Sequence, residues 1–164
     1  MSGLKSELKK RNAFDSVSQE ATLSILRTSD LLANRISRML RPYDLTMAQY
    51  NVLRILRGEA KPMPTLEVAD RMIQVAPAIT RLVENLRCRE LIQKDQHPDD
   101  GRVYLLSLTA AGRRLLKQID KPLIRLHDDL TKTVDTPALN RLIQTLETIR
   151  AGVHRLDSDE EKKV

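Results

Sequence analysis

Apolar residues recur at helical spacing along most of the chain, and polar or proline positions mark where each helix ends. In residues 18–40, leucines and isoleucines fall roughly at helical spacing, and Pro42 disfavours helical geometry in the residue before it. This helix is apolar on more than one side, which suits packing both within one subunit and against a partner. A second helix is predicted from Thr46, which has capping-box spacing to Gln49, to Gly58 as its C-terminal cap.

Two short helices separated by a break are predicted next. Residues 61–64 are expected to form a loop, and Thr65 to cap a helix that ends about Ile73. Pro77 suits the first turn of the following helix, because its missing N–H would have no partner there. That helix is expected to end about Glu90. Two short helices around a tight turn are typical of a helix-turn-helix.

The pattern then changes to the alternation of strands. Residues 91–97 and 102–108 are predicted as two strands around a turn at Pro98-Asp-Asp-Gly101. This β-hairpin directly follows the helix-turn-helix, where it would form a wing.

Two longer helices complete the pattern. The first covers residues 109–134, is capped by Thr109 and is kinked at Pro122. The second begins at Thr136 and Pro137 and ends near His154. The predicted fold is therefore mainly α with a small β-hairpin. A winged helix-turn-helix spans residues 46–109, and residues 1–45 and 110–164 supply N- and C-terminal dimerisation helices.

Length and composition fit a folded chain with its own core, since 41% of the 164 residues are hydrophobic and 30% are charged. No apolar run approaches about 18 residues and residues 1–11 are polar and basic, so we expect neither a membrane span nor a secretory signal. The single cysteine, Cys88, favours a cytoplasmic protein without a metal or cofactor. No phosphate-binding loop or nucleophile motif is found, so we expect no enzyme.

Four stretches carry a resemblance to a known family: Ala-Pro-Ala-Ile-Thr-Arg-Leu-Val-Glu-Asn-Leu at 76–86, Arg-Glu-Leu-Ile at 89–92, His-Pro-Asp-Asp-Gly-Arg at 97–102 and Leu-Ser-Leu-Thr-Ala-Ala-Gly at 106–112. They resemble the MarR family of bacterial transcriptional regulators, most specifically in Asp100-x-Arg102 followed by Leu-Thr-x-x-Gly. The resemblance implies a homodimer that binds palindromic operators and represses or activates nearby genes. It also implies release of DNA by a small-molecule ligand or by oxidation.

A recognition helix that enters the major groove reads base edges with the residues near its beginning. Here these predicted contacts are Ala76, Pro77, Ala78, Thr80 and Arg81. The small residues permit close approach, and Arg81 can bind a guanine or a phosphate. The alternative is that Pro77 and Ala78 only begin a helix and that Thr80 faces solvent.

Five further residues are predicted to contact DNA. Arg102 at the hairpin tip can reach a narrow minor groove, and Asp100 can orient its guanidinium through a bidentate pair. Thr65 at a helix beginning, Arg71 near the turn and Lys94 on the first strand can each bind a phosphate. The alternatives are a helix cap for Thr65, an ordinary surface arginine, and solvated side chains.

The net charge of +6 favours a nucleic-acid partner, but the charge is unevenly distributed. Residues 62–104 carry 6 Lys/Arg against 7 Asp/Glu, whereas residues 1–61 carry 11 against 6. The segment predicted to bind DNA is therefore not basic, and its cations must be directed at the ligand rather than merely numerous.

Effector binding is expected from the resemblance in a cleft between the first two helices and the long helix after the wing. Met39, Pro42, Tyr43 and Tyr50 are the candidate lining residues, and packing in the core is the alternative for Met39 and Tyr50. The family's peroxide sensors resemble one another in an N-terminal cysteine, which this chain lacks, so redox sensing through Cys88 is not favoured.

The sequence thus predicts a dimeric, sequence-specific DNA-binding transcriptional regulator, a repressor that a small-molecule effector releases. Its partners would be double-stranded DNA with a palindromic operator, a second copy of itself and the effector, with no role for a membrane. The alternative is a winged-helix module that binds proteins without specific DNA binding. Salt dependence separates the two, because phosphate contacts weaken steeply with ionic strength.

Overall fold

The computed structural model describes residues 3–74 and 78–162. In chain order the elements are α1 (Leu4–Glu7), α2 (Val17–Leu40), a 3₁₀ helix (Arg41–Tyr43), α3 (Met47–Glu59), β1 (Met63–Pro64), α4 (Thr65–Asp70), α5 (Ile79–Cys88), β2 (Ile92–Gln96), β3 (Tyr104–Leu108), α6 (Ala110–Thr131) and α7 (Thr136–Glu161). The mainly helical winged helix-turn-helix fold is confirmed. In it, α5 is the recognition helix, and β2 and β3 with their connecting turn form the wing.

The wing belongs to a three-stranded antiparallel sheet in the order β1-β3-β2. Met63 pairs with Leu106, and on the other edge of β3 Lys94 pairs with the same residue. The prediction of a loop at residues 61–64 was therefore wrong. A strand of two residues ending in proline has no detectable alternation, and only its pairing with β3 defines it.

The beginnings of α3 and α4 differ from each other in how they are capped. Thr46 and Gln49 form the predicted capping box, with the Gln49 N–H donating to Thr46 Oγ1 at 3.2 Å and the Thr46 N–H to Gln49 Oε1 at 2.8 Å. The prediction that Thr65 caps α4 was wrong, because Thr65 is its first helical residue. Pairing of β1 with β3 brings the Thr65 hydroxyl to the Tyr104 carbonyl oxygen instead, at 3.3 Å.

Five helices end at other residues than predicted. Gly58 does not cap α3, which continues to Glu59 and ends at Ala60 in the left-handed region, with φ of 60°. Ion pairs of Arg57 and Glu59 stabilise this last turn beyond the glycine. Four further ends differ from the predicted positions: α4 ends at Asp70, α5 at Cys88, α6 at Thr131 and α7 at Glu161.

Gly112 allows the wing to pack tightly against the beginning of α6. A Cβ atom there would overlap the Leu91 carbonyl oxygen and lie 2.7 Å from Leu108 Cδ1. Thr109 caps the same turn by accepting the Gly112 N–H at 3.0 Å, and its hydroxyl lies 3.0 Å from the Leu91 carbonyl oxygen. The Leu-Thr-x-x-Gly motif thus packs the wing against the first turn of α6.

The chain divides into two compact units, residues 1–123 and 124–164. The first unit contains the sheet, the helix-turn-helix and the buried cluster around Leu40, Leu53, Leu86 and Leu106. The second contains the end of α6 and all of α7, and among its described residues only Leu126 is buried. No helix in the described ranges combines the length and apolar character that a bilayer span requires.

Candidate nucleic-acid interface

The recognition helix α5 presents a polar side to solvent. Val83 and Leu86 are buried in the core, whereas Thr80 and Arg81 are exposed in its first turn. Ala78, the N-cap residue, is also exposed and makes no side-chain capping bond. The predicted contacts Ala76 and Pro77 lie outside the described residues. The exposed face at the beginning of α5 is therefore the face predicted to read DNA.

Two polar contacts hold the second half of α5 against its neighbours. The buried Gln49, already part of the α3 capping box, donates from Nε2 to Asn85 Oδ1 at 2.6 Å. Arg89, just past α5, donates to the main-chain carbonyl oxygens of Tyr43 and Asp44 at the end of the 3₁₀ helix. Sequence analysis missed these contacts, because they join distant parts of the chain.

A groove of about 480 Å³ lies between the beginning of α4, the recognition helix and the wing. Its lining residues come from all three elements: Pro64, Thr65, Leu66, Thr80, Val83, Lys94, Arg102, Val103 and Tyr104. The structure thus brings together four residues that were predicted separately as DNA contacts, namely Thr65, Thr80, Lys94 and Arg102.

The wing turn is ordered by hydrogen bonds of its own backbone. The His97 N–H donates to the Val103 carbonyl oxygen at 2.9 Å, and Asp100 Oδ1 accepts the Arg102 N–H at 2.9 Å. The predicted bidentate pair between Asp100 and the Arg102 guanidinium is absent in this described turn. Asp100 shapes the backbone instead, since an Asx-type turn uses the same carboxylate oxygen.

Tyr104 and Leu66 were missed by sequence analysis although both line the groove. Lys94 Nζ lies 4.2 Å from the centroid of the Tyr104 ring, within cation–π distance. Tyr104 is 42% exposed and Leu66 is 77% exposed, so both offer apolar surface at the groove. For Tyr104, the only signal in the sequence was an aromatic residue two positions after Arg102.

Several arginines between residues 57 and 89 are neutralised by carboxylates or bound by carbonyl oxygens. We call them the anchoring arginines: Arg57, Arg71, Arg87 and Arg89. Arg71, for which a phosphate contact stays a prediction, pairs with Glu59 at 2.8 Å and with Glu67. Its hydrogen bond to Glu59 holds the pKa of that carboxyl below its usual value. Its guanidinium is therefore occupied within the protein.

Arg87 forms a similar pair on α5 itself. Arg87 Nε and Nη2 donate to the Glu84 carboxylate, which lowers the pKa of Glu84 to about 2, with a smaller contribution from Cys88. Cys88 is exposed and its Sγ lies 3.5 Å from Glu84 Oε1. No group of three or more His, Cys, Asp or Glu side chains suited to a metal occurs within the described ranges.

Three cations of the same segment remain without a described carboxylate at ion-pair distance, and we call Arg81, Lys94 and Arg102 the unpaired cations. Arg81 and Arg102 are exposed, and Lys94 is half-buried beside the Tyr104 ring. All three were predicted to contact DNA. Residues 62–104 carry one more acidic than basic side chain, with 7 Asp/Glu against 6 Lys/Arg. The positive charge of these three cations is nevertheless not offset by a described carboxylate at ion-pair distance.

The candidate effector residues have mixed environments. Tyr50 lies in the core, where burial raises the pKa of its phenol, and Met39 packs against the same core. Pro42 is exposed, and the half-buried Tyr43 donates its hydroxyl to the Gln118 carbonyl oxygen at 3.3 Å. A ligand cleft at these four residues remains a prediction.

Comparison with known proteins decides the family. The MarR family model matches residues 45–104, which contain the groove. The chain is 36% identical to a MarR transcription factor from Planctomyces limnophilus, with a TM-score of 0.64 over 83% of this chain and 99% of that one. The chain belongs to the MarR family. As a member it is a DNA-binding transcriptional regulator.

Further relatives of this MarR-family protein agree. It is 30% identical to the multiple antibiotic resistance protein MarR of Escherichia coli strain K12, over 60% of this chain and 69% of that protein. Two structures share its fold at lower identity. A cysteine-to-serine mutant of E. coli MarR complexed with operator DNA is 22% identical, with a TM-score of 0.69 over 90% and 99% of the two chains. CouR from Rhodococcus jostii RHA1 bound to p-coumaroyl-CoA is 24% identical, with a TM-score of 0.71 over 83% and 95%.

Proposed function

We propose that this MarR-family protein is a cytoplasmic, homodimeric repressor that binds a palindromic operator and is released by a small-molecule effector. It acts as a regulator and not as an enzyme. The recognition helix enters the major groove with Ala78, Thr80 and Arg81, and the wing places Arg102 at the adjacent minor groove. The E. coli MarR mutant complexed with operator DNA, which shares the fold, supports operator binding.

One observation carries the proposal. The groove gathers Thr65 and Thr80 with Lys94 and Arg102, and neither cation is neutralised by a described carboxylate. A cation without an internal partner adds positive potential where a phosphate can approach, whereas an ion-paired arginine adds little. The exposed Arg81, one residue after Thr80, supplies a third such charge.

Dimerisation is supported by a stripe of apolar residues on α7. The residues follow coiled-coil spacing: Leu139, Leu142, Leu146, Ile149, Val153 and Leu156. Leu142 is 51% exposed and Leu156 is 66% exposed. A helix with a largely exposed apolar stripe needs a covering partner, and a second copy presents the same stripe. A dimer would also match the symmetry of a palindromic operator.

Effector release is supported by the position of Tyr43. Its hydroxyl bonds to α6, and its carbonyl oxygen and that of Asp44 accept hydrogen bonds from Arg89 after the recognition helix. A ligand that displaces Tyr43 would loosen this attachment of α5. The p-coumaroyl-CoA bound to CouR indicates that this fold accommodates an organic ligand.

The test of DNA binding starts from a pool of random duplexes of about 30 base pairs, roughly three helical turns. The wild-type protein should enrich a palindromic sequence. Fluorescence anisotropy on that operator and on a scrambled duplex, at several salt concentrations, should show tight and salt-sensitive binding to the operator. Failure to enrich any sequence, with weak and equal binding to both duplexes, would favour the protein-binding alternative.

The dimer is tested separately by light scattering after size-exclusion chromatography. Leu142→Glu combined with Ile149→Glu places charges in the α7 stripe and should yield monomers. Deletion of residues 137–164 should produce monomers or aggregates. Gln144→Glu with Thr148→Glu is the matched control, since both positions are exposed and outside the stripe. A stable dimer of the stripe variant would place the interface elsewhere.

A further inference from the structure

The Lys94 ammonium is held by an aromatic ring and not by an acid. Its Nζ atom lies 4.2 Å from the Tyr104 ring centroid, and no described carboxylate lies at ion-pair distance. The only acidic group on α5 is Glu84, and its carboxylate is bonded to Arg87. A ring attracts a cation without accepting its three N–H donors in strong hydrogen bonds. The ammonium therefore keeps its donors available to an anion.

The register of the wing makes this pair possible. Lys94 is directly opposite Leu106, so Tyr104 is its diagonal neighbour on the same face of the hairpin. The backbone of Tyr104 is fixed by pairing with Gln96 and by the hydroxyl of Thr65, which donates to its carbonyl oxygen. The ring is thus carried by an ordered main chain at the edge of the groove, which Thr80 and Arg102 also line.

We propose that Tyr104 is a positioning residue that holds the Lys94 ammonium in the groove for a backbone phosphate of bound DNA. This inference rests on the proposed function. An arginine–carboxylate pair such as Arg71–Glu59 would also fix a side chain, but it would neutralise the charge that a phosphate needs. A neutral ring orders the lysine before binding, which reduces the rotamer freedom lost on contact.

A double-mutant cycle on the selected operator tests the role. Lys94→Gln should weaken binding. It should also reduce the magnitude of the negative slope of log affinity against log salt by about 0.9, the value for one phosphate contact. Tyr104→Leu should weaken binding about two- to fivefold. In the Lys94→Gln background it should have no further effect, since the ring acts only through the lysine.

Two controls separate positioning from a structural role. Tyr104→Phe keeps the ring and should bind like the wild type. Tyr104→Leu combined with Arg102→Ala should show additive losses, because Arg102 does not depend on the ring. Additive losses of Tyr104→Leu and Lys94→Gln, or equal losses in Tyr104→Phe and Tyr104→Leu, would overturn the proposal.

The pair is also tested without DNA. Proton NMR of the full chain should show the Lys94 Hε protons shifted upfield by the ring current, with the shift kept in Tyr104→Phe and lost in Tyr104→Leu. Unshifted Lys94 protons in the wild type would overturn the pairing even if operator binding is normal. A wild type that selects no duplex would overturn the proposed function, and the phosphate role with it, whatever the NMR shows.

Discussion

Around the recognition helix, the positively charged side chains occupy two kinds of environment. The anchoring arginines are bound by acceptors on the protein itself, as in Arg57 with Asp120 and Arg71 with Glu59. The unpaired cations lie on the exposed side of α5 and along the wing, without a described carboxylate at ion-pair distance. Net charge over residues 62–104 adds the two sets together and so understates the positive potential that DNA would meet. We therefore expect mutation of an unpaired cation to lower operator affinity but not stability, and mutation of an anchoring arginine to lower mainly stability.

The largest expected effect is on DNA affinity at the wing. Arg102→Ala should weaken operator binding by roughly 1–3 kcal/mol and leave dimerisation and thermal stability unchanged, because the guanidinium has no described internal partner. Anisotropy and a thermal melt measure the two quantities. Arg113→Ala, an exposed arginine on α6, is the matched control and should bind normally. Unchanged affinity of Arg102→Ala would remove the wing from the mechanism.

Mutation of an anchoring arginine should instead affect mainly the stability of the fold. Arg89→Ala removes hydrogen bonds from a charged donor to the Tyr43 and Asp44 carbonyl oxygens and should lower the free energy of unfolding by about 1–2 kcal/mol. Any loss of operator affinity should leave the salt slope unchanged, because no phosphate contact is removed. Urea denaturation measures the stability. Arg87→Ala, whose partner Glu84 is on the same helix, should cost less, and an equal cost would contradict the anchoring role.

A smaller effect is expected for the pair between α3 and α6. Arg57 Nη1 lies 2.9 Å from Asp120 Oδ1, and each side chain is more than one-third exposed. Solvent screening limits such a pair to about 0.2–1 kcal/mol. Arg57→Met and Asp120→Asn should each lower stability within that range, with their coupling measured in a double-mutant cycle. A drop in operator affinity in Arg57→Met but not in Asp120→Asn would mean that Arg57 also contacts DNA.

The smallest effect concerns pH. The Arg87 hydrogen bonds lower the pKa of Glu84 from 4.5 to about 2, so the ionised form is favoured in the folded state. Its stabilising contribution is therefore full above pH 4.5 and is lost as pH falls toward 2. The difference in urea midpoint between the wild type and Glu84→Gln should shrink over this interval. A difference independent of pH would mean that the pair does not contribute.

Features encoded by neighbouring residues were predictable. The Thr46 and Gln49 capping box, the strands of the wing and the recognition helix follow from spacing within a few residues. Features that depend on pairing between distant segments were not. Strand β1 is defined only by its pairing with β3. Thr65 does not cap α4, because that pairing brings its hydroxyl to the Tyr104 carbonyl oxygen.

The sequence by itself determined the element order, the family resemblance and which cations were candidates for DNA. Only the tertiary structure decided which of them are neutralised, because Glu59 and Arg71 are twelve residues apart, on either side of β1 and α4. It also decided the wing register. A hairpin closed symmetrically on residues 98–101 would set Lys94 opposite Leu105, but the structure pairs it with Leu106. A shift of one residue reverses the face of every side chain, and this register alone places Tyr104 beneath Lys94.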